Sequence, residues 1–249
     1  MLVAEDNPTN RRVVRKQLEQ LGYAVDLAGD GREALEMARS GEYGLILMDH
    51  HMPEMDGFDS TRAIRAFEAE LARPRVPIVA LTANALRGEA ERSFQAGMDD
   101  FCAKPLTLAQ LARVLRRWAP GNDETAFDLP EEPPPGPADD HAVLDVAHLR
   151  ATLGAIDDGL REDLKLFVDT TEDYAKRLAQ AIEARDARSA RETAHSAKGA
   201  ARTAGARELA ALMQAIEDSV RQDDFVSAAS LAGALRPTLD RVAKAVAAL

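Results

Sequence analysis

The sequence predicts two folded units of different class. One is an α/β unit built on a doubly wound, five-stranded parallel sheet, and the other is an all-α, antiparallel four-helix bundle joined to it by a proline-rich acidic linker. Three observations carry this. Short apolar runs alternate with amphipathic helical stretches over residues 1–120, apolar spacing turns wholly helical over 144–249, and residues 121–143 between them lose periodicity. A chain of 249 residues has room for two modest domains, each able to bury a core.

In the first unit Leu2-Val3-Ala4, Ala24-Val25-Asp26-Leu27-Ala28, Leu45-Ile46-Leu47-Met48, Ile78-Val79-Ala80-Leu81 and Phe101-Cys102-Ala103 read as strands. Helical patterns lie near 8–21, 31–40, 57–70, 86–97 and 107–118, the first opened by Asn7-Pro8 with proline where a helix has no N–H bond to lose. Five βα repeats imply a parallel sheet with helices on both faces and chemistry beyond the carboxyl ends of the strands. In the second unit apolar residues step by three and four from Leu160 to Ile182, from Leu209 to Val220 and from Phe225 to Val246. With the stretch around Ala187 to Ala204 they make four long helices, and a short leading helix near 145–152 is expected to cap one end.

Charge narrows the function classes. With 31 Lys+Arg against 42 Asp+Glu the net charge is -11, which argues against a broad grip on nucleic acid or an anionic membrane. Residues 121–143 hold seven acidic groups, no basic ones and five of the twelve prolines, so this segment is expected to stay extended, at ~3.1 Å per residue where polyproline. No apolar run approaches ~18 residues, and no signal segment opens the chain. The expectation is a cytoplasmic module without direct membrane contact, any anchor belonging to a partner or to a further segment. The single cysteine, Cys102, reads as a buried strand residue.

Glu5 and Asp6 follow the first strand, Asp49 the third, Thr82 ends the fourth, and Lys104 follows the fifth, so all five reach one edge of the sheet. Three converging carboxylates repel one another unless a cation joins them, and an oxygen-only donor set suits Mg²⁺. The arrangement fits a carboxylate nucleophile on a phosphoryl group, with the ion, an ammonium and a hydroxyl neutralising its oxygens. His50-His51 is not expected to bind a transition metal, since adjacent imidazoles rarely chelate together.

Val3-Ala4-Glu5-Asp6-Asn7, Leu47-Met48-Asp49, Met52-Pro53-Glu54-Met55-Asp56-Gly57, Leu81-Thr82-Ala83-Asn84 and Lys104-Pro105-Leu106 together resemble a response-regulator receiver domain of the CheY-like, flavodoxin-like kind. The resemblance implies that Asp49 is the phospho-acceptor and that Glu5, Asp6, Asp49 and the backbone carbonyl of His51 hold Mg²⁺. It assigns Lys104 and Thr82 to the phosphoryl oxygens, and Thr82 and Phe101 to the family's conformational switch. His51 and Asn84 are expected to tune how fast water reaches the phosphoaspartate.

One histidine stands out in the helical half. His195 is followed by Lys198 at i+3, on the same helix face, and by Gly199, which removes side-chain bulk from an approaching surface. His195-x-x-Lys198-Gly199 with Gly205 beyond, after Val143-Leu144-Asp145 and the long helix from Leu160, resembles a histidine-containing phosphotransfer (HPt) domain. That resemblance makes His195 the second phospho-acceptor, Lys198 a stabiliser of its phosphoryl group, Gly199 a close-approach position and Gly205 the turn into the next helix. Ala197 stands where many members carry leucine.

The expected function is a two-component phosphorelay module, with a receiver at 1–120, the linker at 121–143 and an HPt bundle at 144–249. No glycine-rich nucleotide loop is visible, so the ATP-dependent kinase belongs to another region or protein. The chain is expected to be the C-terminal part of a hybrid sensor histidine kinase, a transferase of phosphorus-containing groups. Its expected partners are a kinase dimerisation/phosphotransfer domain and another receiver. The alternative is a free-standing receiver-HPt protein acting as a phosphorylation-controlled binding module.

Overall fold

The computed structural model describes residues 1–82, 87–119, 143–153 and 158–249, in two compact units. The linker expected at 121–143 lies outside the described residues except for Val143, and Asn84 lies outside them too. Among the described residues no helix is long and apolar enough to cross a membrane.

The first unit runs β1 (Leu2–Ala4), α1 (Pro8–Gln20), β2 (Asp26–Ala28), α2 (Gly31–Ser40), β3 (Ile46–Asp49), α3 (Gly57–Glu70), β4 (Ile78–Thr82), α4 (Arg87–Ala96), β5 (Asp100–Ala103) and α5 (Leu108–Trp118). The strands are all parallel, in the order β2-β1-β3-β4-β5. Alternation sorts their side chains onto two faces. Leu2, Ala4, Ile46, Met48, Ile78 and Ala80 meet Leu35, Phe58 and Ile64 of α2 and α3, while Val3, Leu47, Val79 and Leu81 meet Val14 and Leu18 of α1 and Leu111 and Leu115 of α5. Strand order reverses between β1 and β3, which opens a crevice where the acids after those strands emerge.

Local chemistry starts the helices. Asn7 accepts from the N–H groups of Thr9 and Asn10 at the head of α1, Asp30 and Asp56 cap α2 and α3, and Thr107 with Gln110 forms a reciprocal capping box on α5. Gly57 begins α3 where backbone meets backbone, because a Cβ there would lie 1.9 Å from the Asp49 carbonyl oxygen.

The second unit comprises α6 (Val146–Leu153), α7 (Asp158–Glu183), α8 (Ala187–Thr203), α9 (Arg207–Arg221), α10 (Phe225–Ala232) and α11 (Leu235–Ala247). Phe167, Leu178, Met213, Ile216, Leu239 and Val242 share one core. Helix α8 faces it almost entirely with alanine, Ala190, Ala194, Ala197, Ala200 and Ala201 all being fully buried. Gly205, at φ 68°, ends α8 in a left-handed turn: its own N–H donates to the Arg202 carbonyl, and the Ala206 N–H reaches back to Ala201. The Gly205 carbonyl then accepts from Asp145 N–H, seating the leading helix α6.

The fourth bundle member, read from apolar spacing as one helix over 225–246, is two. Pro237 has no N–H to give the Gly233 carbonyl four residues back, so the ladder breaks and restarts at Leu235, with proline in the first turn of α11.

The Gly57 contact yields a direct check. Gly57→Ala should destabilise the first unit by roughly 2–3 kcal/mol in urea unfolding of the full chain, since the backbone beside Asp49 must shift to admit the methyl group.

Candidate functional site

The sheet edge collects the predicted acids. Glu5 and Asp49 are buried, Asp6 is half-buried, and one carboxylate oxygen from each lies within 4.8 Å of the others. Into them reaches Lys104, whose Nζ donates to Glu5 Oε2 at 2.5 Å and Asp49 Oδ2 at 2.7 Å. The remaining Glu5 oxygen accepts from Asn10 Nδ2 at 2.9 Å and from the Asn7 N–H at 3.3 Å. Arg11 Nη1 holds the Glu5 carbonyl at 2.9 Å, fixing the backbone from which both acids project. The His51 N–H approaches Asp49 Oδ1 at 3.4 Å, bringing the turn after β3 against that carboxylate.

Electrostatics follow from three acids around one ammonium. Burial, countered by Lys104 and reinforced by the charges of Asp49 and Asp6, raises the Glu5 carboxyl to about 7. Burial works against the Lys104 charge, but Asp49 and Glu5 overcome it and hold the ammonium well above its ordinary range. The excess of carboxylates over cations fits a hard divalent ion, and the oxygen-only donor set of Glu5, Asp6 and Asp49 suits Mg²⁺.

Thr82, at the end of β4, is buried and donates to Glu89 Oε2 at 2.5 Å. Phe101 is half-buried on β5, edge-on to the half-exposed Phe94 of α4 at a centroid distance of 6.2 Å. His50 is buried, stacked on Phe58 at 4.5 Å, and burial lowers its imidazole to about 4. Cys102 is buried, which pushes its thiol up to about 11 and makes it a poor nucleophile.

In the bundle His195 keeps 24% of its side-chain surface exposed on α8, with Nδ1 facing Glu217 Oε1 across 3.5 Å. Lys198, expected to point toward a phosphoryl group, is buried instead and donates to Glu217 Oε2 at 2.5 Å and Gln214 Oε1 at 3.0 Å. Arg221 Nη2 adds a third donor to Glu217 at 3.0 Å. Burial alone would raise the Glu217 carboxyl, but His195, Lys198 and the surrounding positive charge hold it down to about 2. Gly199, beside Lys198, is half-buried.

Glu217 and Gln214 were missed by sequence reasoning. The available signal was an acid immediately after Ile216, inside the apolar stripe Leu209, Met213, Ile216 and Val220.

Comparison with known proteins agrees with this division. The family profile described as response regulator receiver domain matches residues 1–116, and that described as Hpt domain matches residues 162–245. The chain is 36% identical over 219 residues to the aerobic respiration control sensor protein ArcB of Escherichia coli, covering 87% of this chain and 27% of that protein. It is 33% identical over 239 residues to the sensor histidine kinase GacS of Pseudomonas protegens, covering 93% of this chain and 25% of that protein. The chain thus spans about a quarter of the length of these relatives. The receiver domain of sensor histidine kinase PA1611 from Pseudomonas aeruginosa, crystallised with magnesium in its active site cleft, is 50% identical over 47% of this chain and 93% of its own, at a TM-score of 0.43.

The Glu217 carboxyl, depressed in the folded state, contributes stability that is complete above pH 4.5 and is lost as pH falls toward 2. Wild type should therefore exceed Glu217→Gln in urea unfolding at neutral pH, and the margin should shrink by at most about 3 kcal/mol across that acid range.

Proposed function

The chain belongs to the two-component signalling families, a receiver domain followed by an Hpt domain, and from that premise we propose that Asp49 and His195 are its two phospho-acceptors. The observation that carries the assignment is that each shares a carboxylate-bound lysine's network: Asp49 accepts from Lys104 together with Glu5, and His195 and Lys198 meet the same carboxylate, Glu217. The family role is a phosphorelay module, similar to the C-terminal parts of hybrid histidine kinases.

At the sheet edge an Asp49 carboxylate oxygen attacks phosphorus, the P–N bond of a donor phosphohistidine breaks, and the imidazole leaves neutral with its second nitrogen protonated. Lys104 keeps its bond to the acceptor carboxylate and lies within reach of the incoming oxygens, and the Thr82 hydroxyl is a further donor. Glu5, Asp6, Asp49 and the His51 carbonyl would hold Mg²⁺, which would supply charge neutralisation on the transferring group.

At the bundle the proton sits on Nδ1 of His195, facing Glu217, which makes Nε2 the nucleophilic lone pair. Attack by Nε2 forms the P–N bond as the aspartyl P–O bond breaks. The product imidazolium keeps its Nδ1 proton against the Glu217 carboxylate, so the reverse step can release a neutral imidazole. Glu217 thus orients the ring in both directions.

The proposed partners are a kinase dimerisation/phosphotransfer domain and a further receiver. The proposed setting is a cytoplasmic stretch of a hybrid sensor kinase, with ATP consumed by its kinase domain. A second reading, a phosphorylation-controlled binding surface, is favoured by the Phe94–Phe101 pair between α4 and β5, the strand paired with the one that Thr82 ends.

Incubation with acetyl phosphate and Mg²⁺ should label Asp49, as read by peptide mass spectrometry, and chelation of the metal should abolish labelling. Lys104→Ala should slow it by roughly 10²-fold, the weight of one charged donor at a phosphoryl group. Alkali-stable label supplied by a phosphorylated receiver should appear at His195 and disappear in His195→Gln. Persistence of alkali-stable label in that variant would overturn the bundle assignment.

A further inference from the structure

Helix α4 is fastened to the active edge at two points one turn apart. Glu89, in its first turn, accepts the Thr82 hydroxyl at 2.5 Å. Ser93, four residues on and fully buried, donates its hydroxyl to the Glu89 carbonyl at 2.9 Å and meets His50 Nε2 at 2.9 Å. A serine hydroxyl has one proton, so the imidazole is the donor in that second contact and carries its hydrogen on Nε2. His50 follows Asp49 directly and is wedged against Phe58, so the Ser93 contact ties the middle of α4 to the acceptor strand.

We infer that Glu89 is a positioning residue that competes with the phosphoryl group for the hydroxyl proton of Thr82. The inference rests on Asp49 being the phospho-acceptor. Threonine also has a single hydroxyl proton, and in this structure a carboxylate holds it in a charge-assisted bond. For Thr82 to donate to a phosphoryl oxygen on Asp49, that bond must open. No covalent bond changes: the hydroxyl exchanges one acceptor for another, and the Glu89 carboxylate turns to water.

The exchange frees the first turn of α4 while Ser93 stays tied to His50. Phe94, next to Ser93 and edge-on to Phe101, therefore sits beside the pivot, where loss of the Glu89 tether is passed to an exposed surface. The structure assigns Glu89 to the unphosphorylated state, as a restraint that the incoming group must displace.

The test measures binding of beryllofluoride, a phosphoryl mimic, to the full chain in excess Mg²⁺ by isothermal titration calorimetry. Glu89→Ala should tighten it by roughly tenfold, the weight of one hydrogen bond to a charged group. Glu89→Gln, which keeps the shape but not the charge, should give a smaller gain in the same direction. In a Thr82→Val background the Glu89→Ala gain should vanish, which a general loss of negative charge would not produce. Equal affinity of wild type and Glu89→Ala overturns the inference, as does a gain that survives in the Thr82→Val background. If beryllofluoride binds wild type and Asp49→Asn alike, the acceptor assignment itself fails and the inference falls with it.

Discussion

The receiver half is organised around one partly buried ammonium. Lys104 leaves the sheet after β5, the edge strand, and its Nζ rests on Glu5, just after β1, and Asp49, the last residue of β3, so its long stem reaches back past β4. Removing one partner of such a set leaves a buried charge without compensation, a larger cost than the net gain from forming it. The constraint fixes how three strand ends register, and the close approach of Gly57 to the Asp49 carbonyl serves the same geometry.

The bundle inverts the stoichiometry. At the sheet edge three carboxylates cluster and one lysine bonds two of them, burial prevails, and Glu5 is pushed up to about 7. At Glu217 one carboxylate receives Lys198, Arg221 and the His195 ring, the donors prevail over burial, and it is held down to about 2. An acid-rich pocket is completed by a cation and a donor-rich pocket by an anion. The two halves therefore handle the same group with opposite electrostatic deficits, which in the proposed relay divides the work between a metal-assisted acceptor and a metal-free carrier.

Much of this was legible in the amino-acid order because it is periodic. The unbroken apolar runs at 45–48 and 78–81 and the three-to-four spacing from Leu160 onward mark the sheet and the bundle, and the sheet edge follows from where Glu5, Asp49, Thr82 and Lys104 stand at the ends of their strands. What escaped depends on contacts between helices. Glu217 interrupts the apolar stripe of α9, but Lys198, which donates inward to it and to Gln214, comes from α8. The fourth bundle helix hid its interruption because apolar spacing runs straight across Gly233, although Pro237 marked it. Glu89 gave no sign at all, since its meaning comes from the Thr82 hydroxyl at the end of another element.

The alanine lining of α8 gives the histidine-bearing helix an unusual mutational profile. Ordinary core positions suffer most from truncation, which opens cavities, but Ala190, Ala194, Ala197, Ala200 and Ala201 have almost nothing left to remove. Their vulnerability lies in enlargement, because an added branch on that lining needs room that the packed core must give up. The outward-facing positions of α8 meet no such limit, so the surface around His195 can change while the alanine-lined face keeps the helix seated.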